Sequence, residues 1–257
     1  MEDIRTVFIS DVHLGTISCK SEALLKFLKF LEDHQPQEIF LVGDIIDLWK
    51  LRRGFSWKSD HNTIIQKILR FSRKAVKVTY ITGNHDEYFR TLSGIKFGDI
   101  SVVDEVDYTS LNGKRIKVIH GDQFDIFLND NRIICLIGSI AYDLLVWVNS
   151  ALMKIRSFLG FSHWSLSSYL KTKAKSVTNV ITIFKTKMVD VLRKEGYDGV
   201  ICGHIHNAAI ENIDDFLYLN CGDWTESCTA LCELVSGKFV IIAVNDQSGV
   251  IIQTMPP

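Results

Sequence analysis

At 257 residues the chain is long enough for one large domain, or for a domain that carries a sizeable insertion. Its 47% hydrophobic and 23% charged residues leave ample apolar material for a core, and a net charge of −1 gives no whole-chain case for a nucleic-acid or acidic partner. Two of the three prolines are the last residues, and no Pro-rich or Gly/Ser-rich linker, repeat or low-complexity tract interrupts the chain, so a single domain over 1–257 is expected.

In chain order, Val7-Phe8-Ile9 predicts a first strand, and residues 21–34 (SEALLKFLKFLEDH) a helix with Ser21 as its N-cap. Ile39-Phe40-Leu41-Val42 predicts a second strand, residues 60–75 a helix opened by Asp60, and Val78-Thr79-Tyr80-Ile81 a third strand. Further strands are expected at Ile116-Lys117-Val118-Ile119, Val200-Ile201-Cys202 and Phe216-Leu217-Tyr218-Leu219. From Thr229 the sequence alternates and turns at Ser236-Gly237 and Ser248-Gly249, the pattern of antiparallel strands. Continuous apolar runs rather than alternating ones point to strands covered on both faces, hence a layered α/β fold.

Residues from about 126 to 195 break this rhythm with a long apolar run (133–148), then LMKIRSFLGFSHWSLSSYL, then a lysine-rich helical pattern from Lys171 to Lys194. They read as a helical insertion between two core strands, standing over one end of the sheet. The run 133–148 holds Asp143 and falls short of the roughly 20 residues that a membrane span needs. Six scattered cysteines without a CxxC pair favour a reducing compartment. The opening MEDIRTVFISD enters a strand at once, with no signal-peptide pattern. A cytoplasmic chain is expected.

The chemistry gathers just past the strands. The first ends in Asp11-Val12-His13, the second in Gly43-Asp44 with Asp47 beyond it, and the third in Gly83-Asn84-His85-Asp86. The fourth ends in His120-Gly121-Asp122 and the fifth in Gly203-His204-Ile205-His206. Five strand-like runs therefore deliver Asp, His or Asn to what is read as one sheet edge, and the carboxyl edge is where open α/β sheets bind ligands. Carboxylates, imidazoles and one amide without thiolates suit Mn²⁺, Fe²⁺ or Zn²⁺. The ligand candidates are too many for one tetrahedral ion and suit two ions roughly 3.5–4 Å apart that share a carboxylate. Glycines before Asp44, Asn84 and His204 allow sharp turns, and the two histidines flanking Ile205 point the same way from an extended chain.

The series D-x-H, G-D-x-x-D, G-N-H-D, H-G-D and G-H-x-H resembles the calcineurin-like metallophosphoesterases, in order and over nearly the whole chain. That resemblance implies a four-layer α/β (α+β) fold, a β-sandwich flanked by helices, here with a helical cap. It implies one metal on Asp11, His13, Asp44 and His206 and another on Asp44, Asn84, His120 and His204. Manganese is favoured, with iron(II) or zinc as alternatives, and His85 and Asp86 would stand over the substrate phosphate as catalytic residues. Within the superfamily the chain is most similar to the UDP-2,3-diacylglucosamine hydrolases of lipid A biosynthesis, through FISDVHLG, the insertion after HGDQFD, and NCGDW at 220–224. Those hydrolases carry arginine where this chain has His85, a departure that fits a paralogue acting on a related diphosphate or phosphate lipid.

The expected reaction is metal-assisted hydrolysis of a phosphate ester or pyrophosphate, with His85 oriented by Asp86 to stabilise charge or protonate the leaving group. Asp47 reads either as a carboxylate holding a ligand histidine in its tautomer or as a helix-capping acid. Arg52 and Arg53 read as phosphate clamps or as a solvated basic loop, and Asp122 as a substrate contact. In the insertion, Trp147 and Phe161 mark apolar runs that would line an acyl-chain groove or meet the inner membrane surface, with lysines facing head groups. The alternative is a self-packed cap with a wet basic face. A phosphate-containing, lipid-linked small molecule is the expected partner, and nucleic acid is not. A soluble phosphatase or phosphodiesterase on nucleotides or phosphoproteins is the second reading. A non-enzymatic scaffold is the third, although such proteins lose motif residues that are intact here.

Overall fold

A computed structural model describes residues 2–54, 57–128, 167–245 and 249–253. The chain divides into two compact units, Met1–Asp122 with Val189–Pro257, and Gln123–Met188. The larger unit is built on two sheets. Strands β1 (Ile4–Ile9), β2 (Glu38–Val42) and β3 (Lys77–Ile81) run parallel as neighbours. They are extended on one side by β5 (Ile100–Val103) and the short β4 (Lys96–Phe97). On the other side stand β11 (Thr229–Leu234), β12 (Phe239–Asn245) and β13 (Gly249–Gln253), giving the order β13-β12-β11-β1-β2-β3-β5-β4. The second sheet is β6 (Glu105–Thr109), β7 (Arg115–Ile119), β8 (Gly199–Cys202), β10 (Phe216–Asn220) and β9 (Ala209–Ile213), in that order.

Both faces of β1 and β2 are buried, which is why their sequences do not alternate. Phe8, Phe40, Val42, Ile81, Leu231 and Ile241 pack against Tyr108, Ile116, Val118, Ile201 and Leu219 of the second sheet. The Phe8 and Phe40 rings stack at 5.0 Å and Tyr108 meets both edge-on. The intervening residues Val7, Ile9, Ile39 and Leu41 face helices α1 (Ser21–His34) and α3 (Ser59–Arg73). Leu24, Phe27, Leu28 and Leu31 form one stripe of α1, so the helix exists to cover the sheet. The expected layering of sheet on sheet with flanking helices is present.

Two expectations about helix starts do not hold. Ser21 is the first residue of α1 rather than its cap; Lys20 occupies the N-cap with no side-chain bond, and its N–H donates to Trp224 O at 2.8 Å. Lys58 precedes α3 in the same uncapped way, leaving Asp60 in the first turn. Tertiary contact fixes where the chain enters α1, so no hydroxyl cap is required. Its end follows local rules: Gln35 takes a left-handed φ of 42°, donates to Leu31 O, and Pro36 follows.

The strand ends also divide between the two sheets instead of sharing one edge. β1, β2 and β3 belong to the first, β7 and β8 to the second. The β6–β7 hairpin begins the new sheet, and the edges meet where His120 Nδ1 lies 3.0 Å from Val42 O. Cys19, Cys202, Cys221, Cys228 and Cys232 are buried and in no disulfide among the described residues.

In the smaller unit, α4 (Ser167–Lys194) begins, crossing Met188 into the larger one, and covers the lysine-rich pattern. The rings of Phe124 and Phe184 meet edge-on at 6.5 Å. The apolar runs 133–148 and 158–161, with Trp147 and Phe161, lie outside the described residues. Among the described residues no helix is long and apolar enough to cross a membrane.

Candidate metal centre

Past the carboxyl ends of β1, β2 and β8 the backbone turns into a region that side chains rarely adopt. Asp11 (φ 53°), His13 (52°), Asp44 (54°), His204 (68°) and His206 (51°) are all left-handed. Such residues cost about 1–3 kcal/mol each and persist only where the surroundings over-determine them. Here neighbouring motifs do so: Asp11 N–H donates to Gly43 O at 3.1 Å, His13 N–H to Asp44 O at 2.9 Å, and Trp224 N–H to Asp11 O at 3.0 Å. The convergence of His204 and His206 therefore comes from left-handed turns, and not from the extended backbone that the H-x-H spacing suggested. Two glycines make room for these turns. A Cβ on Gly83 would stand 2.3 Å from Asp44 Oδ1, and one on Gly203 would stand 1.8 Å from Ser10 Oγ.

The side chains converge in three overlapping groups, each offering donor atoms within 4.8 Å of one another: Asp11, His13 and His206; His13, Asp44 and His85; Asp11, Asp44 and His120. Asp44 Oδ2 stands 3.3 Å from His120 Nε2, 3.8 Å from His13 Nε2 and 4.0 Å from His85 Nε2. Asp11 Oδ1 lies 3.1 Å from His206 Nε2 and 3.9 Å from His13 Nε2. The His204 ring meets His120 edge-on at 5.2 Å.

Electrostatics concentrates on the same atoms. Burial pushes the Asp11 carboxyl up, but the His206 contact and the charges of His120 and His13 hold it well below the usual range. The same balance, with His120 the chief opponent of burial, leaves Asp44 at about 2. His120, which burial alone would depress, is raised to about 10 by Asp44 and Asp11. Two buried carboxylates thus demand positive charge, and a divalent cation competes with protons for the same imidazole nitrogens.

Fit to a cation is visible in what these atoms lack. Asp11 Oδ1, His13 Nε2, Asn84 Oδ1 and His120 Nε2 are buried without a well-directed hydrogen bond, although several lie near an oppositely charged neighbour. Misdirected close contacts are what ligands aimed at a common ion would show once the ion is left out. An oxygen and nitrogen donor set of this kind suits borderline divalent metals.

Asp47 answers to both of its sequence readings. Its Oδ1 caps α2 (Leu48–Leu51) by accepting from Lys50 N at 2.8 Å, while Oδ2 stands 3.3 Å from His13 Nδ1 and 3.0 Å from His85 Nδ1. Burial lowers the His85 pKa, but Asp47 and Asp44 outweigh it and the net shift is upward. The expectation that Asp86 orients His85 is corrected by its bonds. Asp86 is fully buried and accepts from Ile45 N at 2.9 Å, Gly83 N at 2.5 Å and the Tyr80 hydroxyl at 2.5 Å. It shapes the turn beneath Asn84 and His85 instead of facing substrate.

Arg52 and Arg53 are exposed, and Arg52 bonds the Tyr88 hydroxyl with its guanidinium 5.4 Å from that ring. Asp122 accepts from Arg90 Nη2 at 2.6 Å. Sequence reading missed Trp49, whose ring lies 4.5 Å from His85, and Ser10, whose hydroxyl donates to Asp11 Oδ2 at 2.5 Å. Adjacency to a motif was the only signal either residue gave. The flagged NCGDW stretch braces the site: Asn220 Nδ2 donates to Gly203 O at 2.8 Å, and Trp224 is buried behind Asp11.

The family model described as calcineurin-like phosphoesterase matches residues 4–208. UDP-2,3-diacylglucosamine hydrolase from Blochmanniella floridana is 26% identical over 233 residues, covering 86% of this chain and 89% of that protein. The hydrolase of the same name from Neisseria gonorrhoeae is 26% identical, covering 84% and 88%. Among solved structures, Vacuolar Protein Sorting 29 from Cryptosporidium parvum is similar with a TM-score of 0.48 at 12% identity, over 98% of this chain and 97% of that one.

Proposed function

The chain belongs to the calcineurin-like phosphoesterase family and is a metal-dependent hydrolase of phosphoric ester or diphosphate bonds; from that premise we propose that its substrate is a lipid-linked diphosphate such as UDP-2,3-diacylglucosamine. The observation that carries the reading is the cluster of buried donors lacking directed partners, in a chain aligned over most of its length with hydrolases of that name. Asp11, His13, Asp44 and His206 would hold one divalent ion, and Asp44, Asn84, His120 and His204 the other. Manganese is favoured by the mixed oxygen and imidazole set, with iron(II) or zinc as alternatives.

Bound ions would polarise the phosphoryl oxygens and make water acidic enough to attack at neutral pH. The protein's own part falls to His85. Asp47 Oδ2 stands 3.0 Å from its Nδ1, and Asp47 and Asp44 shift its pKa upward, which favours the protonated ring. That ring donates to the leaving oxygen as the bond to phosphorus breaks. Trp49 packs on the ring and limits its rotation. On this reading the sequence of residues 126–195, with Trp147 and Phe161, would supply the apolar cover for an acyl chain and the contact with the inner membrane surface.

The test is hydrolysis of UDP-2,3-diacylglucosamine by protein of measured metal content, read by phosphorus NMR as conversion of one diphosphate to two phosphomonoesters. Rapid turnover of aryl phosphodiesters with an inert acylated diphosphate would remove the lipid substrate. It would leave the second reading, a soluble phosphodiesterase.

A further inference from the structure

Arg90 lies on the 3₁₀ turn Glu87–Leu92, which opens directly after His85 and Asp86. That turn is pinned from below: Phe89 N–H donates to Asp86 O at 2.9 Å, and the Phe89 ring meets Tyr80 edge-on at 5.5 Å. Its guanidinium crosses to the fourth motif, where Nη2 donates to Asp122 Oδ2 at 2.6 Å, two residues beyond His120. Asp122 is 10% exposed and Arg90 41%. A guanidinium carries five donors in a fixed fork; among the described residues Asp122 is the only side chain that Arg90 hydrogen-bonds, with the charges of Asp104 and Asp86 also near it. Nε and Nη1 are left for a ligand.

We propose that Arg90 binds the second, non-reacting phosphate of a diphosphate substrate, and that Asp122 is the positioning residue that aims it. This deepens the phosphoester-hydrolase reading and rests on it. Asp122 was expected to touch substrate, but a carboxylate repels a phosphate; among the described residues its one side-chain hydrogen bond is from the arginine to Oδ2, while Oδ1 is buried without one. Of the two arginines expected as clamps, Arg52 is engaged with Tyr88 at the surface and Arg53 is exposed beside it. A diphosphate diester brings two negative phosphates, of which the metal cluster takes the reacting one. The other requires a cation beside the cluster but outside the ligand set. Arg90 is a guanidinium held by Asp122 on the turn that follows His85, and two-point geometry suits it to that phosphate.

The experiment uses the full chain loaded with Mn²⁺ and two probes: UMP, with one phosphate, and the methylene analogue of UDP, whose P–C–P bridge resists hydrolysis. Titration calorimetry should show Arg90→Gln, which keeps the aliphatic stem, weakening the UDP analogue by about 10–100-fold, as for loss of a charged hydrogen bond. UMP binding should stay nearly unchanged. Arg90→Lys should fall between, since it keeps charge but loses the fork. Asp122→Asn should weaken the UDP analogue alone, and the double variant should be no weaker than Arg90→Gln, because the two act as one unit. Equal losses on both probes, undiminished UDP-analogue binding in Arg90→Gln, or additive losses in the double variant would each overturn the assignment. The activity reading fails separately: a wild-type protein that hydrolyses no phosphate ester yet shows the probe split keeps the Arg90 site and loses the enzyme.

Discussion

Replacing Asp47 with asparagine separates two jobs that one carboxylate performs. The amide oxygen can still accept from Lys50 N, so the α2 cap survives, but the negative charge 3.0 Å from His85 Nδ1 and 3.3 Å from His13 Nδ1 is gone. Burial depresses His85, and the Asp47 contact is the largest influence opposing it. Without Asp47 the pKa moves down. A histidine with a raised pKa holds its proton below that value and loses it as pH rises through it. The alkaline limb of kcat in Asp47→Asn should therefore shift to lower pH. At neutral pH kcat should fall about 10–100-fold, the usual effect of losing a carboxylate that orients an active-site histidine. KM should barely move, since Asp47 does not reach substrate, and metal content should be retained. Asp47→Ala should match this activity loss and also lose about 1 kcal/mol of stability with the cap. The assay is a pH series of kcat on an aryl phosphodiester alongside metal analysis. An unshifted alkaline limb at full kcat would refute the coupling of Asp47 to His85.

Asp44→Ala should bind neither ion, because Asp44 is the residue shared by the two proposed ligand sets and its Oδ2 faces His13, His85 and His120; elemental analysis finding two ions at wild-type occupancy would remove it from the bridging position. Glu233→Ala should cost about 1–3 kcal/mol in denaturant unfolding, as removing the acceptor of buried donors does. It leaves Leu111 N–H, which Glu233 meets at 2.9 Å, without that acceptor, while the partly exposed Arg5 keeps Tyr108, and a loss well under that range would mean the network relaxes. Trp147→Glu or Phe161→Glu should raise KM for an acylated diphosphate, at roughly 0.8 kcal/mol per methylene no longer covered, while a small aryl phosphodiester is hydrolysed normally; equal losses on both substrates would make the insertion packing only.

The core strands were legible because both faces of β1, β2 and β3 are covered, so apolar residues run on without alternation. The motif residues were legible because imidazoles and carboxylates at strand ends have few other reasons to recur in that order. What stayed hidden depends on the third dimension. Asp47 could be a cap or a histidine partner, and nothing in the sequence says that its two oxygens point to different tasks. Asp86 sits in the motif, yet its carboxylate folds inward to the N–H groups of Ile45 and Gly83. Short β4 and β6 carry exposed and charged residues, Lys96, Phe97, Glu105 and Asp107 among them, so no apolar run announced them. Without β6 the passage to a second sheet could not be seen.

Each metal-site carboxylate divides its two oxygens in the same way. Asp11 Oδ2 accepts from His204 N at 2.9 Å, leaving Oδ1 toward His206 and His13. Asp44 Oδ1 accepts from His85 N at 2.8 Å, leaving Oδ2 toward His120, His13 and His85. One oxygen thus fixes the backbone of a motif distant in sequence, and the other offers charge to the shared centre. The left-handed turns at Asp11, Asp44 and His204 make these bonds reachable, and the bonds in turn help hold the turns. Their combined strain, at about 1–3 kcal/mol each, is comparable with a large share of a domain's net stability of about 5–15 kcal/mol. The motif order D-x-H, G-D, G-N-H, G-H-x-H is therefore a mechanical constraint as well as a chemical one. An aspartate changed to alanine loses a ligand and also releases the backbone of a second motif, whereas asparagine can keep the backbone bond on its amide oxygen and loses the charge and the ligand oxygen. Comparing the two at Asp11 or Asp44 separates the site's assembly from its affinity for cations.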